Sequence, residues 1–140
     1  IFNSNPHVAY VQPPLSYYTK IFQLYDNKFL ICEDNRNPCV SKLKQHPKVY
    51  ERSGSLINDL TILRNATNVV IGFGTFGLLV YFMNKKLQNL YMPKYMKDTF
   101  VHGDKWGNDI NVHVIDLPSY IPVGEWKNSP EQIKMMLTYK

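Results

Sequence analysis

The chain has 140 residues, of which 44% are hydrophobic, 14% aromatic and 19% charged. That balance excludes a disordered or fibrous protein and is enough for one buried core. The net charge of +5 is scattered along the chain; it suits an anionic ligand or plain solubility and argues against nucleic acid, because no basic run interleaves with aromatics. Two cysteines, Cys32 and Cys39, are too few for a disulfide scaffold, and neither has zinc-ligand spacing to a histidine pair. His7, His46, His102 and His113 share no local motif, so no metal is expected. No targeting signal, membrane anchor or membrane span is visible, and a start at Ile-Phe without Met suggests a piece of a longer chain.

In chain order, residues 14–25 open with Pro and place Leu15, Tyr18, Ile21, Phe22 and Tyr25 at helical spacing. Residues 28–32 form a short buried strand that carries Cys32 as a buried thiol, with Glu33 and Asp34 just past its carboxyl end. A helix over 38–46 and a brief strand over 49–51 follow. Residues 55–65 form a helix with Ser55 as its N-cap, Asp59 in its first turn and Leu56, Leu60 and Leu63 facing inward. The apolar triplet Val69-Val70-Ile71 then runs into Gly72-Phe73-Gly74-Thr75-Phe76-Gly77 and a second apolar segment that stops at Asn84-Lys85-Lys86. A further strand covers 87–91, and residues 94–109 read as a polar surface excursion. Residues 110–115 alternate as a strand, and 129–137 form a helix opened by Ser-Pro-Glu. The alternation of strand and helix predicts an α/β protein: one Rossmann-like parallel sheet with helices on both faces, in a single domain over 1–140.

The glycine-rich turn carries the most chemistry. A buried strand, a tight turn and a helix aim the helix's first N–H groups beyond the sheet's carboxyl edge, where a phosphate binds. Thr75 adds a hydroxyl at the helix entrance. The match to G-x-G-x-x-G is short of a dinucleotide fingerprint, which needs an acid roughly 20 positions on, at the end of the next strand. That strand runs instead into Met92-Pro93-Lys94, and Asp98 lies beyond the proline. A dinucleotide oxidoreductase is therefore a distant reading. The competing structural account of the glycines is close helix–strand packing. Asn65-Ala66-Thr67 fits a glycosylation triplet but sits at a helix end feeding a buried strand, a poor place for a glycan.

The run from Asp59 through Arg64-Asn65-Ala66-Thr67-Asn68-Val69-Val70-Ile71 to Gly77 resembles the carboxyl-terminal signature of fucosyltransferase-like glycosyltransferases. The α1,2- and α1,6-fucosyltransferases and protein O-fucosyltransferases share it: an Asp opens a helix, a hydrophobic strand follows, and a Ser/Thr-Phe-Ser turn holds the nucleotide diphosphate. The resemblance spans about residues 8 to 93 and includes Tyr10-Val11-Gln12-Pro13-Pro14-Leu15-Ser16-Tyr17-Tyr18 and Glu33-Asp34-Asn35-Arg36-Asn37-Pro38. It implies one half of a GT-B-like fold, with a missing amino-terminal Rossmann-like half as partner. The family's guanine-reading Asp falls on Asp59, and its diphosphate turn on Gly74, Thr75, Phe76 and Gly77. The chain starts after the family's His-x-Arg motif, so the leaving-group cation has no counterpart and no catalytic residue is assigned. The turn Gly-Thr-Phe-Gly also lacks one of the family's hydroxyls.

The resemblance thus implies a donor-binding domain for a nucleotide sugar, GDP-fucose or a similar GDP-sugar, with a glycan or glycoprotein as acceptor and no cofactor. Chemically, an Asp59 carboxylate accepts two hydrogen bonds from a guanine N1–H and N2–H edge, which adenine does not offer. The plain alternative for Asp59 is stabilisation of a helix N-terminus, worth about 0.3–1 kcal/mol. Glu33 and Asp34 lie where ribose hydroxyls are met in such sheets, and equally where a loop faces solvent. Arg64 complements a helix dipole. The alternative function is a non-catalytic Rossmann-like module that holds a nucleotide or a partner without turnover.

Overall fold

The structure, a computed structural model, describes residues 11–32, 37–52, 54–100, 110–120 and 127–140. Pro14 ends an extended entry and starts α1 (Leu15–Phe22), which buries Tyr17, Ile21 and Phe22. β1 (Lys28–Leu30) pairs in parallel with β2 (Val49–Glu51), Lys28 opposite Val49. Between them runs α2 (Pro38–Lys44), capped where the Asn37 side chain accepts from the Cys39 N–H at 2.9 Å. Pro38 sits in the first turn of α2, where its missing N–H costs nothing.

α3 (Leu56–Asn65) is capped by Ser55, as its sequence predicts. Its inward face is another matter. Leu56 is 55% exposed, Leu60 and Leu63 are only half-buried, and the single buried residue of the helix is Asp59. The leucine face is inward only toward the carboxyl end of α3, where Leu63 reaches the core; the first turn, with Leu56, is left outside.

β3 (Asn68–Val70), β4 (Asn89–Pro93) and β5 (Asn111–Ile115) form a second parallel sheet in that order. Each begins with Asn, and the register aligns all three: Asn68 opposite Asn89, and Asn89 opposite Asn111. The Asn89 amide donates to Asn68 Oδ1 at 2.8 Å, and Asn89 Oδ1 accepts from Asn111 Nδ2 at 3.4 Å. This ladder marks the register, because a one-residue slip would send every side chain to the other face. β4 ends two residues later than expected and includes Pro93, tolerated at a strand end. α4 (Thr75–Met83) joins β3 to β4.

Residues 94–100 are not the surface excursion that their polarity predicts. They form α5 (Lys94–Phe100), whose Tyr95 and Met96 are buried while Lys94 is exposed. A two-residue apolar pair is too short to show helical period, so the lysines dominate the sequence signal. α6 (Pro130–Thr138) is opened by a full capping box between Ser129 and Gln132.

The fold is thus α/β, with two small parallel sheets and six helices among the described residues. α1, α2 and α6 pack together, α3 packs on α4, and α5 lies against β4 and β5. Buried tyrosines tie the entry segment to the second sheet through their hydroxyls. Tyr17 donates to the Ile71 carbonyl at 2.8 Å, Tyr95 to that of Val11 at 2.9 Å and Tyr120 to that of Gln12 at 2.6 Å. None of the helices described is long and apolar enough to cross a membrane.

Candidate functional site

Between β1 and β3 the two sheets do not join, and a cavity of ≈ 570 Å³ opens there. One lip is the end of β1, through Ile31 and Cys32; the other is the end of β3 and the turn Gly72-Phe73-Gly74. Among the described residues β1 pairs only with β2, and β3 pairs only with β4. Open α/β sheets bind ligands beyond the carboxyl ends of their strands, and the lips at Ile31, Cys32 and Gly72-Phe73-Gly74 lie past those ends of β1 and β3.

α4 begins at this crevice. Gly74 is its N-cap, at φ 138°, and offers no side-chain cap for the first N–H groups. A Cβ built on Gly74 would meet nothing within 4 Å, so the space in front of the helix start is open. The conformation still requires glycine, because L side chains rarely adopt that φ. The other two glycines serve packing. A Cβ on Gly77 would stand 2.7 Å from Ile71 Cβ, so α4 rests backbone-close on the end of β3. A Cβ on Gly72 would come within 2.9 Å of the Tyr18 hydroxyl. Close packing therefore accounts for Gly72 and Gly77, and Gly74 is required by its backbone conformation.

The sequence-derived site residues separate as follows. Gly74, Phe76 and Gly77 line the crevice, and Thr75 is the first residue of α4. Glu33 and Asp34 lie outside the described residues; Cys32 before them and Asn37 after them line the crevice. Asp59 is not on its wall. It is 2% exposed, and its Oδ1 accepts from the Gly54 N–H at 2.8 Å, so the local, helix-entrance role is realised in hydrogen bonding. Gly54 belongs to a second, open hollow of ≈ 440 Å³ with Arg52 and Asn58. Ile62 borders both hollows, so they adjoin along α3. Asp98, the only acid near the spacing of a ribose ligand, falls within α5.

Cys39 is buried and its thiol is pushed up to about 12 by that burial, whereas Cys32, expected to be buried, is half-exposed on the crevice wall. The difference arises because residues 31 and 32 lie past the end of β1. Among the described residues no group of three or more His, Cys, Asp and Glu is placed to hold a metal ion. The Asn65 amide donates to the Thr61 carbonyl at 2.8 Å and its Oδ1 accepts from Lys86 at 3.0 Å.

Two polar groups on the crevice were not singled out from sequence. Gln12 is 6% exposed, and its Nε2 has no hydrogen-bond partner among the described residues. Tyr18 lines the same wall, and burial raises its phenol well above the usual range, so it stays protonated. Only the Pro-Pro that follows Gln12 hints at a fixed backbone there; nothing local marks its side chain as unpaired. Comparison of the chain with protein-family models, curated proteins and solved structures gives no match.

Proposed function

We propose that this chain binds the diphosphate of a nucleotide sugar and acts as the donor half of a fucosyltransferase-like glycosyltransferase, with a GDP-sugar as donor and a glycan or glycoprotein as acceptor. The observation that carries the reading is the start of α4, uncapped and open at Gly74, at the crevice between β1 and β3. In this reading the two sheets are a split Rossmann-like sheet of order β2-β1-β3-β4-β5, one half of a GT-B-like enzyme whose second half covers the sugar.

A sugar nucleotide reacts by departure of its diphosphate, so the protein's task is to stabilise the charge that develops there. The free N–H groups at the start of α4 carry about half a positive charge and need no reorganisation during reaction. A nucleotide lying along α3 would place its diphosphate in the crevice and its base in the adjoining hollow near Gly54 and Asp59. There a guanine edge would have to share the Asp59 carboxylate with the Gly54 N–H. Glu33 and Asp34 remain in this reading as ribose partners at the end of β1.

A second reading, a nucleotide-binding module without turnover, is favoured by one observation. Among the described residues lining the crevice, Lys28 is the single charged side chain. Calorimetry with GDP, ADP and UDP tests the shared claim. GDP should bind most tightly, and Asp59→Asn should erase that preference by about 1–3 kcal/mol while keeping an acceptor for Gly54. Equal affinities for the three nucleotides, or no effect of the substitution, overturn the guanine assignment. Transfer or hydrolysis of a GDP-sugar separates the enzyme from the module.

A further inference from the structure

Gln12 is buried, yet one of its donors is unused. An unpaired amide N–H in an interior is costly unless something accepts from it. Its placement is not loose. Tyr120 donates to the Gln12 carbonyl at 2.6 Å, and the following Pro13 and Pro14 restrict the backbone on that side. Pro13 Cδ lies 4.0 Å from the point a Cβ on Gly72 would occupy, and Tyr18 Oη lies 2.9 Å from that same point. Gln12, Tyr18 and the turn that opens α4 therefore converge on one wall of the crevice, and all three line it. The approach of the Tyr18 hydroxyl to the turn is possible only because residue 72 has no side chain.

We propose that Gln12 Nε2–H and the Tyr18 hydroxyl are ligand-binding donors that, with the first N–H groups of α4, grip the diphosphate oxygens of the bound nucleotide. The inference rests on the nucleotide-diphosphate reading above and adds to it two side chains from the wall that also carries the turn before α4. Several donors on one wall suit a diphosphate, which presents oxygens on both phosphorus atoms, better than a single helix terminus does. Neutral donors also hold an anion without needing a buried counter-charge of their own. No acid among the described residues lines this wall to repel the ligand.

The test uses Gln12→Met and Tyr18→Phe with three probes: GDP, inorganic pyrophosphate and guanosine. Met keeps a long side chain of similar volume without the unused donor. Its melting temperature without ligand should therefore hold or rise, while affinity for GDP and for pyrophosphate falls about tenfold, the worth of one hydrogen bond to a charged group. Tyr18→Phe should weaken the same two ligands, and guanosine binding should be unchanged by either variant. If GDP binds wild type and both variants equally, the inference fails and the nucleotide reading stands. If pyrophosphate binding falls in both variants but GDP binds wild type no better than pyrophosphate does, the two donors are upheld and the nucleotide reading fails. If Gln12→Met melts lower with ligand affinities intact, Gln12 is a structural residue and the proposal is overturned. Wild type that binds none of the probes overturns both.

Discussion

Asn84 shows how much of this fold hangs on single polar side chains. It is buried, and its amide donates to the carbonyls of both Leu63 and Ala66 at 2.7 Å while its Oδ1 accepts from the Lys86 N–H at 2.7 Å. The carbonyl groups left over at the end of α3 are satisfied by a residue that also terminates α4. Replacing it by Ala strands the Ala66 carbonyl and the Lys86 N–H, and leaves the Leu63 carbonyl only its bond from the Ala66 N–H. Asn84→Ala should therefore destabilise the protein by about 2–3 kcal/mol, read as a lower urea midpoint with an unchanged slope. A loss under about 0.5 kcal/mol would mean that water replaces the side chain without penalty. Asp59 is a comparable case with a different consequence. Its buried carboxylate holds the entry to α3 through Gly54, so a ligand-reading role would use a group already committed to the fold.

At the scale of elements, the strand–turn–helix unit from β3 to α4 was the most legible part of the chain. Val69-Val70-Ile71, the three glycines and the long apolar segment each state one piece of it locally. The packing reason for Gly77 makes its own forecast. In an open helix a Gly→Ala change stabilises by about 1 kcal/mol. At Gly77 the added methyl would stand 2.7 Å from both Cβ and Cγ2 of Ile71, atoms held close to the backbone of the strand end. Overpacking of this kind costs about 1–3 kcal/mol, so Gly77→Ala should lower the melting temperature instead of raising it. A rise would show that α4 lifts off the sheet freely.

Other elements were legible only in part. The caps of α3 and α6 were readable because Ser55 and Ser129 act on N–H groups three residues away. The exposure of the first turn of α3 and the existence of α5 were not, because both depend on where distant elements land. Gln12 belongs with these. Its unused donor arises from the meeting of the entry segment, α1 and the turn after β3, contacts that span more than fifty residues of sequence, such as Tyr17 to Ile71. The apolar row on the outside of α4 was equally invisible. Phe82 is 78% exposed there, with Phe76 and Leu79 also uncovered, although the segment reads as core from its composition.

For the whole molecule, the buried phenols set a limit on the alkaline side. Tyr17, Tyr18, Tyr95 and Tyr120 all have their phenols raised, first by burial, and burial likewise raises Cys39 to about 12. Below pH 9 both the folded and the unfolded chain keep these protons, and the groups contribute no pH dependence. Above the ordinary values of 9.0 for the thiol and 10.0 for the phenols, the unfolded chain releases protons that the folded chain retains. The unfolded state then binds fewer protons, so stability falls with pH, by about 1.4 kcal/mol per pH unit for each group in that window. Denaturant melts between pH 8 and 11 should show a flat region followed by a steep loss beginning near pH 9–10. Tyr17→Phe isolates one contributor. At pH 7.5 it should cost about 1–2 kcal/mol, because the Ile71 carbonyl loses its 2.8 Å donor. Above pH 10 the difference from wild type should shrink, since the variant no longer has that proton to hold. A gap that stays constant to pH 11 would mean that Tyr17 ionises as readily in the folded chain as in the unfolded one, and that the tyrosine-lined core admits water.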